Sequence, residues 1–213
     1  MMFDLQLNDQ IRQNTKLLTL GTLAIISLIG MILLIHFTKG VPVGNLTRDP
    51  NAIGGILPYS GFLSQLGIFI WSSAATICFL NASLYTGKSK VGVTNEFWIL
   101  SGSLLLMLGF DDVFMLHEAM FPWMGMPEKV VLASYVAFMM FYIVRLRKVL
   151  LASSFVLFFF GLFCFGCSVI IDLIEPDGQF RVLYEDGFKS AGQIYWLLYF
   201  FSVHKENLHT DQG

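Results

Sequence analysis

Six stretches of this chain, near residues 17–38, 58–85, 95–119, 128–145, 149–174 and 182–203, are predominantly apolar over about the length a helix needs to cross a hydrocarbon core. Backbone groups surrounded by lipid must find their hydrogen bonds inside their own element, and no alternating polar and apolar pattern suggests a barrel. The expected fold is therefore all-α: a polytopic bundle of six transmembrane helices forming a single domain over residues 1–213. Composition agrees, because 55% of the residues are hydrophobic and only 13% charged, too little polar surface for a soluble globule of 213 residues. The net charge of -2 excludes the basic balance that nucleic acid would require.

Lysine and arginine fix the expected orientation. With the N-terminus cytoplasmic, the inner side holds Arg12, Lys16, Lys88, Lys90, Arg145, Arg147, Lys148 and Lys205, against Lys39, Arg48, Lys129 and Arg181 outside. That excess places both termini in the cytoplasm, with a bacterial inner or plasma membrane as the expected location. The basic run from Arg145 to Lys148 reads as the turn between the fourth and fifth spans.

Against this background the stretch from Gly109 to Glu118 stands out, since it carries Asp111, Asp112, His117 and Glu118 at the end of an oily segment. An ionisable side chain inside the bilayer costs on the order of 2.5 to 3.5 kcal/mol on insertion scales unless it is paired or wetted. Four of them ask for partners. The fifth span ends with Asp172 and Glu175, below a stripe made by Cys164 and Ser168, and the sixth begins with Glu185, Asp186 and Lys189. Under the expected topology all these groups lie at one depth, near the outer face. A regular helix turns about 100° per residue, so Asp111 and Glu118 share a face while Asp112 and His117 point elsewhere. Either the helix unwinds after Asp112, or the groups serve two sites, or some face the interface.

Elsewhere the residues carry less. Gly61, Ser64, Gly67, Ser72, Ser73, Ala74 and Ala75 on the second span are suited to close helix packing. Cys164 and Cys167 lie in mid-span, where packing is the expected role and thiolate activation is not. Glu185 precedes Lys189 by four residues, the favourable order for a helical ion pair.

Three function classes follow. The first is a membrane enzyme, a metal-dependent hydrolase acting on a lipid or another amphipathic molecule. Asp111, Asp112, Asp172, Glu185 and Lys189 are its candidate catalytic residues, and Asp112, His117, Asp172 and Glu185 its candidate ligands for a divalent metal such as Zn. The second is a non-enzymatic sensor, assembly or interaction subunit in which the same groups form a structural ion-pair network. The third is a proton- or cation-linked transporter, disfavoured because the inner halves of the spans carry almost no ionisable groups.

Overall fold

A computed structural model describes residues 2–57, 59–85, 92–174 and 180–208. It is helical throughout, with no strand among the described residues. The coordinates divide into two compact units, Met1–Ser60 and Gly61–Gly213.

The first unit holds a long helix, α1 (Met2–Lys39), followed by two short ones, α2 (Val43–Thr47) and α3 (Pro50–Gly54). From Asn14 to Lys39, α1 is long and apolar enough to cross a membrane. Its threonines close on their own helix, Thr19 donating to the Thr15 carbonyl at 2.8 Å and Thr38 to that of Leu34 at 2.6 Å. Such back-bonding removes the penalty of placing a hydroxyl in lipid. Asp49 caps α3 by accepting the amides of Asn51 and Ala52.

The second unit is a bundle of α4 (Phe62–Leu84), α5 (Asn95–Phe114), α7 (Glu128–Ala152), α8 (Phe155–Ile174) and α9 (Arg181–Leu208), with a π-helical turn (Leu116–Met120) and the short α6 (Phe121–Trp123) after α5. Residue pairings set the directions. On α4, Trp71 reaches Asp112 and Phe79 packs on Gly102, so α4 and α5 are antiparallel. Tyr135 and Tyr142 of α7 reach Asp111 and Ser101 in turn, while Trp196 and Gly192 of α9 meet Phe158 and Phe165 of α8. Successive helices thus alternate in direction.

Close approach between helices depends on glycine, as two contacts show. A methyl group on Gly102 would lie 2.9 Å from the Phe79 ring, and one on Gly192 2.8 Å from that of Phe165. The expected small-residue face of α4 is only partly used: Gly67, Ala74 and Ala75 are buried, whereas Ser64, Ser72 and Ser73 are exposed. The core beneath is aromatic, with Trp71 stacked on Phe165 at 5.5 Å and Phe158 on Trp196 at 5.3 Å.

Several expected boundaries need correction. Five helices are long and apolar enough to cross a membrane: the Asn14–Lys39 part of α1, α4, α5, α7 and α8. The sixth expected span lies in α9, which has ample length but carries Arg181, Glu185, Asp186 and Lys189 in its first turns, and these dilute its apolar character. The third segment does not run unbroken to 119. It stops at Phe114, because Met115 turns left-handed (φ 47°) and the π-helical turn begins. The basic run Arg145–Lys148 is no turn either. It stays helical inside α7, which continues to Ala152, and the chain reverses at Ser153 and Ser154 instead. Glu175, Lys88 and Lys90 lie outside the described residues.

Candidate functional site

The two adjacent aspartates at the end of α5 serve different sites. Asp111 is buried and faces α7: its Oδ1 accepts the Tyr135 hydroxyl at 3.0 Å and the His117 amide at 3.0 Å, while its Oδ2 lies 2.5 Å from His117 Nδ1. The left-handed Met115 makes this possible. By breaking the helix it swings residue 117 back over the last turn of α5, where an unbroken helix would have carried it away. The ring's other nitrogen, Nε2, lies 3.4 Å from Glu118 Oε1, and the Glu118 side chain is 56% exposed. His117 lies beyond the end of the span. The hydrogen bond that His117 donates to Asp111 raises its pKa above the ordinary histidine value; burial opposes this, and the charges of Asp111 and Glu118 reinforce it.

Asp112 points the other way, between α4 and α9, with its side chain only 5% exposed. Its Oδ1 pairs with the ammonium of Lys189. Its Oδ2 accepts Trp71 Nε1 at 2.7 Å and Gln193 Nε2 at 3.1 Å. One carboxylate therefore ties three helices together, α4 through an indole, α5 through itself and α9 through a lysine and an amide one turn apart. A half-enclosed cavity of about 20 Å³ lies beside it, lined by Leu63, Ser64, Asp112, Asp186, Lys189, Ser190 and Gln193. The Gln193 side chain is buried, and its Oε1 has no hydrogen-bond partner among the described residues.

The remaining expected site residues lie around these two centres. Asp172, at the end of α8, faces Arg181 at the start of α9, with 3.6 Å between charged atoms. Glu185 lies close enough to Asp172, Asp186 and Glu118 for their charges to act on it. The expected pairing of Glu185 with Lys189 is replaced by the pair between Lys189 and Asp112, because α9 turns its lysine into the bundle. Asp112, His117, Asp172 and Glu185 are not gathered into one ligand set. Each of the first three has a different partner, and among the described residues no group of three His, Cys, Asp or Glu side chains is placed to hold a metal ion. Cys164 is buried and both Cys164 and Cys167 are free thiols.

Two contributors escaped the sequence reading. Tyr135 and Trp71 belong to apolar stretches, and only their polar tips join the site. The available signal was the pairing of a carboxylate at membrane depth with residues able to donate from an otherwise apolar body.

Geometry defines the class before any comparison does: an all-helical protein with five helices able to cross a membrane, and an ionisable layer at one end of its larger unit. The chain belongs to the family described as Domain of unknown function (DUF8692), which matches residues 18–203 and so includes every residue of that layer. No curated protein and no solved structure matches the chain.

Proposed function

We propose that this is a six-span membrane protein, with both termini cytoplasmic, that works as a non-enzymatic sensor or interaction subunit held together by an ion-pair latch. The observation that carries this reading is the saturation of Asp112: both oxygens are engaged, by donors from two other helices, in a buried setting. Three donors from two other helices hold this carboxylate in place, as a structural tie requires. Two features support α9 as the sixth span. It spans about 42 Å at 1.5 Å per residue over its 28 residues, and it lies antiparallel to α5 and α8. Its first turns tolerate charge because Lys189 and Arg181 have partners on neighbouring helices.

A double-mutant cycle tests the latch. Lys189→Met should lower the thermal unfolding midpoint in detergent by the equivalent of about 3 kcal/mol, since it leaves the buried Asp112 carboxylate without its counter-charge, and Asp112→Leu should lower it by less, since the Lys189 side chain is 34% exposed. Combined, they should recover most of that loss. Simple additivity of the two losses would show that no latch exists.

A second reading rests on the other centre. Asp111 orients His117 through Nδ1 and leaves Nε2 turned towards Glu118, the arrangement of a general base. In that reading the protein is a membrane enzyme acting on a lipid or other amphipathic substrate, with water as the nucleophile. Turnover of a fluorescent phospholipid or acylamide panel that is lost in His117→Ala at unchanged unfolding midpoint would favour it. No turnover across the panel would remove it.

A further inference from the structure

The end of the bundle away from the latch carries an open apolar groove. Leu151 from the last turn of α7 and Phe155, Val156, Phe159, Phe160 and Phe163 from the first half of α8 line it, around a volume of about 670 Å³. These side chains are between 38% and 64% exposed. Two of the rings are held from behind: Phe159 meets the fully buried Phe158 edge-on at 5.3 Å, and Phe160 meets Tyr195 of α9 at 4.7 Å. From Phe155 to Phe163 the groove follows α8 for about 12 Å at 1.5 Å per residue.

Cations flank it. Towards the bundle α7 buries Tyr142, Leu146, Val149 and Leu150. At about 100° per residue, Leu151 lies on the opposite face, with Arg147 and Lys148 to either side of it one turn earlier. Both are exposed. Arg145, the other cation of this basic run, is bound to Glu96 at 2.8 Å, whereas neither Arg147 nor Lys148 has a carboxylate partner among the described residues. Two uncompensated positive charges beside an apolar groove match a ligand that is anionic at one end and hydrocarbon along the rest.

We propose that this groove binds one anionic phospholipid of the phosphatidylglycerol type, with an acyl chain laid against the phenylalanines of α8 and its phosphate on Arg147 and Lys148. The guanidinium can meet two phosphate oxygens at once, and the ammonium adds a point charge. Phosphatidylcholine fills the groove equally well but brings a cation of its own, so the basic pair selects against it. The site is independent of the latch; only the leaflet that supplies the lipid rests on the proposed orientation.

Native mass spectrometry of the full chain in detergent, titrated with phosphatidylglycerol or phosphatidylcholine of identical acyl chains, tests this. One phosphatidylglycerol should be retained per chain, saturably, with a preference of about tenfold or more over phosphatidylcholine. Combining Arg147→Gln with Lys148→Gln should weaken phosphatidylglycerol binding about thirtyfold, a factor of about five for each basic residue near a membrane surface. Val156→Trp, which fills the groove and leaves the charges in place, should weaken it about tenfold. Lys129→Gln, at an exposed lysine on the other end of α7, should change nothing. All these positions are exposed, so the lipid-free unfolding midpoint should stay that of the parent chain. Equal affinity for the two lipids, a loss in Lys129→Gln as large as that in the basic pair, or binding indifferent to Val156→Trp would each overturn the proposal. Displacement of the lipid by inorganic phosphate or by oleate at the lipid's own concentration would overturn it as well, by showing that headgroup or chain alone suffices.

Discussion

The two ends of the 61–213 bundle bury polar groups by opposite means. At the end where α5 stops and α9 starts, the buried groups are carboxylates: Asp112, paired with Lys189, and Asp111, paired with His117. At the other end they are neutral hydroxyls in pairs, Ser101 with Tyr142 at 2.7 Å and Ser153 with Tyr199 at 2.9 Å. Between them lies the aromatic layer of Trp71, Phe165, Trp196 and Phe158. A hydroxyl that loses its partner can turn back to a carbonyl of its own helix, as Ser72 and Thr76 do on the outside of α4. A buried carboxylate has no such refuge. The charged end should therefore fix which helices meet, while the hydroxyl end follows from the shapes of its aromatic side chains.

Comparing two tryptophans should break or confirm this view most sharply. Trp71 donates to a carboxylate and Trp196 to the Phe158 carbonyl at 3.0 Å. Trp71→Phe should cost about 2 kcal/mol and Trp196→Phe about 1 kcal/mol beyond any packing loss, because bonds to charged acceptors are worth more. Equal losses of unfolding midpoint would erase the contrast. At the hydroxyl end, Tyr142→Phe should cost only about 0.6 kcal/mol, the average for a hydrogen bond between helices in a membrane. A loss above that of Trp71→Phe would reverse the assignment. The smallest expected effect separates the ends by pH. His117, raised by its bond to Asp111, adds stability that is fully present below the unfolded histidine value of about 6.5 and fades as pH climbs through the higher folded value. The midpoint difference between the parent chain and His117→Asn should accordingly shrink from pH 5.5 to pH 9. The difference between the parent and Tyr142→Phe should stay flat over the same range.

How much of this was legible beforehand follows from the same contrast. Charge in an apolar run is conspicuous, so the sequence shows the acidic layer, its shared depth on three helices and its confinement to one end. Helical periodicity also shows that a regular helix cannot aim Asp111, Asp112, His117 and Glu118 at one point, but it leaves open whether the helix unwinds or the groups serve two sites. The partners are hidden for three physical reasons. Lys189 has a local partner in Glu185 by spacing, and only the rotation of α9 in the bundle sends it to Asp112. Trp71 and Tyr135 contribute a single polar atom each from bodies that read as lipid-facing. The break at Met115 leaves no trace in composition, since methionine is not a residue that announces a left-handed turn. The basic run misled as a turn because arginine and lysine are good helix formers, and α7 continues through it, with Arg145 pairing with Glu96 at 2.8 Å.

The latch also has a consequence in time. Asp112 and Lys189 are 77 residues apart by their numbers (189 minus 112), and at roughly 5 to 20 residues per second the ribosome needs about 4 to 15 s to bridge them. Until Lys189 is made, α5 carries a carboxylate whose counter-charge does not yet exist. A nascent chain stopped after Ile174 is therefore an exposed target for membrane quality control. Its lifetime in cells should lengthen when Asp112 is replaced by leucine, a change that shortens the life of the full chain.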